Sequence, residues 1–491
     1  MLESLRGLGY STSSALADII DNSVSAGAST VCIDFAWDGP RSVVRILDDG
    51  SGMSDAELES AMRLGDRNPL ETRASHDLGR FGMGLKTASL SQCRRLTVAS
   101  VRDGERSCLR WDLDELARSR DGGWLLFEGA ASGSESLLDP LAEGGPGTIV
   151  VWELLDRVIT PGYSADDFLR LIDDVERHLA MVFHRLIAGP HPDVTLRING
   201  KAVAAWDPFM SGHPAKPWTS PVARRMTELG QIEVQCHVLP HKDKLTSAEY
   251  ERNAGPLGWT AQQGFYVYRN RRLLVAGGWL GLGAGRAWIR EESHQLARIR
   301  LDIPNTADEA WKIDVRKSTA RPPVAVRPWL TRLAVDTRER ARRVFAWRGT
   351  PAASARGGPV DAAWQVQQTR DGVRYRISAQ HPAIAAVLES AGEHKPLVKA
   401  MLRVIEETVP VQRIWLDTVE QRETPRTGFS GEPPEAVRAV LETLFADMVQ
   451  RKGMQPAAAK HALLRMDPFQ NFPDAVSGLR LPETGSRDTT A

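Results

Sequence analysis

One helical stretch near the amino end constrains this chain most. Residues 14–28 read as a helix, opened by a Ser/Thr cluster that can cap it. At about 100° per residue, Asp18, Asp21, Asn22 and Ser25 fall on one narrow face. Leu16, Ile19, Ile20 and Val24 fall on the opposite face and must be the core stripe. Two carboxylates, an amide and a hydroxyl at i, i+3, i+4 and i+7 suit a metal–phosphate site. Asn22 offers a neutral carbonyl oxygen to Mg²⁺, which takes few protein ligands and completes its shell with waters and phosphate oxygens. An Asp one turn earlier can hold a water for attack on a phosphate. A solvated polar face is the plain alternative, and the helix alone does not choose between them.

The next segments of the chain narrow the choice. Strand-like runs at 31–37 and 42–48 are joined by a turn at 38–40 and lead into Asp49-Gly50-Ser51-Gly52-Met53. A carboxylate at a strand end, fixed by two glycines, can accept a hydrogen bond from the exocyclic amine of adenine, where guanine carries a carbonyl. A calcium loop is the other reading, but its third acidic position and distal Glu are absent. A helical stretch at 54–64 and a Gly- and charge-rich loop at 65–83 come next. Gly79-Arg80-Phe81-Gly82-Met83-Gly84-Leu85-Lys86 then opens a second helix, and glycines at a helix start expose N–H groups to phosphates. It is not a P-loop, because LKT rather than KT follows the last glycine and no buried strand precedes it. Gly147-Thr148 precedes the strand TIVVWEL.

Taken in order, ALADIIDNSVSAGA, DDGSGM, GRFGMGLKTAS and GT resemble the GHKL (Bergerat-fold) ATPases, and most closely their MORC/MutL-like branch. The resemblance covers about residues 10–155. It implies ATP and Mg²⁺ as cofactors, with Asn22 on Mg²⁺ and Asp49 reading adenine beside Gly50, Gly52 and Met53. Gly79, Arg80, Phe81, Gly82, Met83, Gly84, Leu85 and Lys86 would wrap the phosphates, Thr148 would support the base, and 65–83 would be the ATP lid. The family's general-base Glu is Asp18 here, one methylene shorter. A misplacement of about 1 Å can cost about 100-fold in rate, so slow hydrolysis or binding without hydrolysis is expected. Ser25 stands where many relatives carry Asp. The runs 264–275 and 311–323 resemble the family's transducer domain, whose lysine reaches the γ-phosphate, and Lys317 is the candidate.

The implied fold class is α+β. A Bergerat-fold α/β sandwich (1–160) is followed by a transducer-like α/β domain (161–348), a linker (349–360) and a smaller, mostly helical module (361–491) of unknown role. Residues 329–347 read as an amphipathic helix. Residues 316–348 hold ten Lys/Arg against two Asp/Glu, enough to touch DNA phosphates without sequence specificity. The whole chain balances 62 Lys plus Arg against 62 Asp plus Glu, which excludes a globally basic nucleic-acid binder. Four scattered cysteines, no long apolar run and no visible secretory signal point to a cytoplasmic protein away from membranes. No phosphoacceptor His precedes the first motif, and His381, His394 and His461 are too scattered for a MutL-type endonuclease metal site. The expectation is an ATP-gated homodimeric clamp, with bacterial defence as family context. A non-hydrolysing sensor that docks a partner protein through the C-terminal region is the alternative, and a chaperone-like ATPase the third.

Overall fold

The computed structural model describes residues 6–7, 9–63, 84–118, 125–142, 145–283, 285–314, 317, 319–345, 362–369, 372–411, 414, 433–466, 468–469 and 472–480. The chain forms two compact units, Met1–Ala346 and Trp347–Ala491. The first unit therefore holds both stretches that the sequence divides at 160.

Helix α1 (Thr12–Ser25) starts two residues earlier than its pattern implies. The Ser11 side chain accepts from the Ser14 N–H at 3.2 Å and satisfies one free donor of the first turn. Ala15, Leu16, Ile19 and Ile20 are fully buried, as the apolar stripe requires. Strands β1 (Thr30–Ala36) and β2 (Val43–Asp48) pair antiparallel behind it. Next come α2 (Asp55–Met62), opened by a Ser54/Glu57 capping box, and α3 (Gly84–Leu90). Strands β3 (Arg95–Arg102), β4 (Glu105–Asp112), β5 (Phe127–Glu128) and β6 (Gly147–Glu153) come after them. The expected helix over 163–190 is two, α4 (Ala165–Val182) and α5 (His184–Ile187), succeeded by β7 (Thr195–Ile198) and β8 (Lys201–Ala202).

These eight strands form one sheet in the order β5-β4-β3-β6-β2-β1-β7-β8, antiparallel except for β1 with β7. α1 packs against α3 and α4, and their apolar faces close the main core around Leu16, Ile33, Leu96 and Trp152. A smaller cluster of Ala99, Leu138, Leu141, Ile149 and Val151 forms a separate core beside β3 and β6.

A second sheet is built from β9 (Trp218–Thr219), β10 (Ala223–Thr227), β11 (Gly230–Val238), β12 (Gly264–Arg269), β13 (Arg272–Ala276) and β14 (Ala297–Asp302). Its order is β10-β11-β14-β12-β13, with β9 also on β11. The strand-like run at 264–275 is in fact a hairpin. Asn270 and Arg271 take φ values of 47° and 67°, the two positive angles a tight hairpin turn needs. α6 (Arg327–Phe345) packs Leu330, Ala334 and Ala341 into this second core.

The second unit contains a hairpin of β15 (Trp364–Thr369) and β16 (Gly372–Ile377). Its helices are α7 (Pro382–Ser390), α8 (Lys395–Thr408), α9 (Glu435–Ala446), α10 (Pro456–Leu463) and α11 (Pro473–Ser477). Leu441, Leu444, Phe445, Leu463 and Phe469 centre its core. The linker expected at 349–360 lies outside the described residues. Among the described residues no helix is long and apolar enough to cross a membrane.

Candidate nucleotide site

The polar face of α1 divides along its length. Asp18 and Asp21 are buried, and Asn22 is exposed. The two carboxylates are buried against the second sheet, not solvated. Lys317 Nζ donates to Asp18 Oδ1 at 3.0 Å and also bonds Asp21 Oδ2. Arg272 Nε donates to Asp21 Oδ1 at 3.0 Å, and its NH2 lies 3.8 Å from Asp18 Oδ1. Tyr10 donates its hydroxyl to Asp18 Oδ2 at 3.0 Å. Burial pushes the Asp21 carboxyl up, but Arg272 and Lys317 outweigh it and hold the pKa below the usual value. Burial and the Asp18 charge raise the Tyr10 hydroxyl. Burial, with Arg272 adding to it, pushes His178 down to about 4. Two sequence candidates 299 residues apart, Asp18 and Lys317, thus meet. Sequence reasoning placed Asp21 on the polar face of α1 without giving it a role, and did not single out Arg272 or Tyr10.

The other end of α1 meets the glycine turn. Ser51 N–H bonds the Ala26 carbonyl at 3.0 Å, docking the turn on the helix C-terminus. Gly52 has φ +66°, and a Cβ there would come 2.0 Å from the Val101 carbonyl oxygen. Neither the angle nor the space tolerates a side chain. Gly50 is nearly as confined, between Ala26 and the Asp48 carboxylate.

The adjacent carboxylates Asp48 and Asp49 have opposite surroundings. Asp49 is exposed and turned to the start of β1. Its carboxylate accepts from the Ser29 and Thr30 N–H groups at 2.8 Å each and from the Ser29 hydroxyl at 2.6 Å. These bonds hold its pKa low against the upward push of burial. Asp48 is the buried carboxylate. It accepts from Ser23 Oγ at 2.7 Å and Gly50 N–H at 3.0 Å, and from the backbone of its register partner Thr148. Burial raises its pKa, and those three bonds oppose the shift. A carboxylate has about four lone-pair positions, so about one remains for an outside donor. The signal was in the strand. β2 alternates half-buried with buried residues, and Val44, Ile46 and Asp48 share the inward parity.

Ser100, also missed, ties the same end together. It accepts from Met53 N–H at 2.8 Å, bonds the Gly147 carbonyl at 3.0 Å, and lies 2.9 Å from Thr148 Oγ1. Met53, Gly147 and Thr148 therefore converge beside Asp48.

Of the phosphate-loop candidates, Gly84, Leu85 and Lys86 lie at the start of α3. A Cβ on Gly84 would sit 4.0 Å from Asp18 Oδ2, so the helix start faces that carboxylate. Lys86 is buried, and its ammonium bonds the Arg63 carbonyl. Gly79, Arg80, Phe81, Gly82 and Met83, with the lid at 65–83, lie outside the described residues. Among the described residues no group of three His, Cys, Asp or Glu side chains could hold a metal. Asn22, a lone neutral amide on an exposed helix face, fits an ion such as Mg²⁺ that draws its other ligands from water and phosphate.

Residues 10–143 match the family described as "Histidine kinase-, DNA gyrase B-, and HSP90-like ATPase". ATPase morc-1 of Caenorhabditis elegans is 32% identical over 91 residues, 18% of this chain and 10% of that protein. DNA mismatch repair protein MutL of Agrobacterium fabrum is 36% identical over 93 residues, 19% and 15% of the two chains. MutL of Neisseria meningitidis serogroup C is 29% identical over 198 residues, 38% and 26%. The chain thus spans about a quarter or less of these relatives' lengths. Residues 10–143 accordingly match a histidine kinase-, DNA gyrase B- and HSP90-like (GHKL) ATPase domain, and the sequence there is similar to MORC and MutL proteins.

Proposed function

We propose that the first unit binds Mg-ATP between α1 and the glycine turn, hydrolyses it slowly, and uses the cycle to open and close a homodimeric clamp. The observation that carries this reading is the meeting of Lys317, from beyond the second sheet, with Asp18 on α1. It gives a cation and a carboxylate side by side where the triphosphate end of the ligand would lie. At the other end, Asp48 offers its remaining lone pair to the exocyclic amine of adenine. Thr148 and Ser23 orient that carboxylate. Asn22 would hold Mg²⁺, which, when bound, neutralises phosphate charge. Asp18 is the residue for holding a water, and Lys317 the one for offsetting charge on the terminal phosphate.

The scale of the rate is set by Asp18. Its side chain is one methylene shorter than Glu, and both its oxygens already have partners. That observation favours the second reading, a sensor that binds ATP, turns it over little and docks a partner protein. Phosphate release by the purified protein, set beside Asp18→Asn, decides between them. The clamp reading expects release that falls at least about tenfold in the variant. Equal background rates in both, with ATP still bound, leave the sensor.

Contact with DNA is part of the clamp proposal. Arg327, Arg332, Arg340, Arg342 and Arg343 are exposed on α6, and Arg224 and Arg225 on β10. Arg340 stacks on Trp218 at 4.5 Å and Arg225 lies over Trp329 at 5.8 Å, while Arg224 and Arg343 pair with Glu233 and Glu339. Binding through such groups is non-specific and weakens steeply with salt. A role in bacterial defence is the biological setting we attach to this clamp.

A further inference from the structure

The buried charges between α1 and the second sheet are more than a paired acid and lysine. Asp18, Asp21, Lys317 and Arg272 form a closed group of zero formal charge, each less than a tenth exposed. Their attachments differ. Arg272 sits in strand β13, donates from Nε to Asp21 and from NH1 to the Leu273 carbonyl at 2.7 Å, and lies over the Phe183 ring at 5.8 Å. It is fixed from three sides. Lys317 stands on a turn, with φ +54° and its N–H on the Asp314 carbonyl at 2.9 Å. Lysine's unbranched four-carbon stem makes it the member of the group best able to exchange one partner for another.

Resting on the nucleotide-site reading, we propose that Asp21 and Arg272 are positioning residues for Lys317. Arg272 fixes Asp21, Asp21 parks the Lys317 ammonium against Asp18, and withdrawal of that ammonium toward a phosphate frees Asp18 Oδ1. Arg272 then remains beside both carboxylates, at 3.0 Å from Asp21 and 3.8 Å from Asp18. The two sheets stay joined while the lysine changes partner. Without Asp21, Lys317 would keep one carboxylate instead of two. Without Arg272, Asp21 would be left to Lys317 alone and would compete with the phosphate for it.

The test reads Lys317 directly. Amine acylation of the full-length protein without nucleotide is followed at Lys317 by mass spectrometry, with exposed Lys201 as reference. Lys317 is expected to react at least about tenfold more slowly than Lys201. Asp21→Asn is expected to raise its reactivity at least about fivefold, Arg272→Gln to lower it at least about threefold, and Arg272→Lys to return it within about twofold of wild type. The two sides of the pair are attacked separately, so one folded variant suffices. In steady-state phosphate release, Asp21→Asn is expected to lower kcat about tenfold with KM within about threefold. Unchanged Lys317 reactivity in a variant that still melts cooperatively overturns the proposal, as does a loss confined to KM. Calorimetry with a non-hydrolysable Mg-ATP analogue is run on the same samples. Absence of binding in wild type removes the nucleotide reading, while the labelling contrast still decides whether Asp21 and Arg272 position Lys317.

Discussion

Two adjacent aspartates with opposite surroundings show how much a single residue's environment decides. Asp48 is buried with one acceptor position left, and Asp49 is spent on the Ser29–Thr30 backbone. Asp48→Asn is expected to weaken binding of a fluorescent ATP analogue at least about 30-fold, because the amide turns one acceptor into a donor facing existing donors. Asp49→Asn is expected to stay within about threefold. Reversal of that order would return the adenine contact to Asp49. The motif DDGSG does not by itself say which carboxylate points inward. The period-two alternation of VVRILD does, and Asp48 was legible there. Asp21 gives a second residue-level expectation. Its folded pKa lies below the ordinary value near 4, so its stabilisation is present above that value and is lost as pH falls through the lower one. Acid melts should therefore show a steep loss of midpoint below about pH 4 that is shallower in Asp21→Asn, a variant already destabilised by about 3–5 kcal/mol. Identical acid limbs in both proteins would show that Asp21 is not held ionised by the fold.

The elements were legible to different degrees. The core stripe of α1 was readable because a period of 3.6 fixes which residues face inward. The polar face was readable only as polar. Its burial depends on Arg272 and Lys317, which arrive from more than 250 residues away, and no local periodicity encodes such a partner. The 264–275 run shows a different failure. Asn270-Arg271 lacks the glycine that usually marks a tight hairpin turn, so two strands looked like one. The glycine turn after β2 was well marked, and its sterics support a prediction. Gly52→Ala would drive a Cβ into the Val101 carbonyl, and is expected to cost about 2–4 kcal/mol. Because the turn carries Met53 onto Ser100, nucleotide affinity should fall as well. A thermal midpoint within a degree of wild type in that variant would contradict this packing of the turn on β3.

On the scale of the molecule, the first unit joins two sheets through a buried charge group and an apolar cluster around Met181, Tyr266, Tyr268 and Leu273, and the chain from Trp347 onward forms a unit with its own core. A protein comprising residues 1–346 is therefore expected to melt cooperatively and to bind ATP within about threefold of the full chain. Aggregation of that fragment under conditions where the full chain is soluble would contradict it. The α+β class came from the four motifs and from the resemblance of the runs 264–275 and 311–323. The placement of the described elements in one compact unit up to residue 346 did not, because the long-range ion pairs and the apolar cluster of Met181, Phe209, Tyr266, Tyr268 and Leu273 that join them have no local sequence pattern. The central claim is that Mg-ATP is held along α1, its base at Asp48 and its phosphates toward Asp18 and Lys317. Titration calorimetry of the folded full-length protein with a non-hydrolysable Mg-ATP analogue tests it most directly. One site per chain, with the GTP counterpart bound at least about tenfold more weakly, is the result expected. No heat on a sample that melts cooperatively, or equal affinity for the two bases, would contradict it.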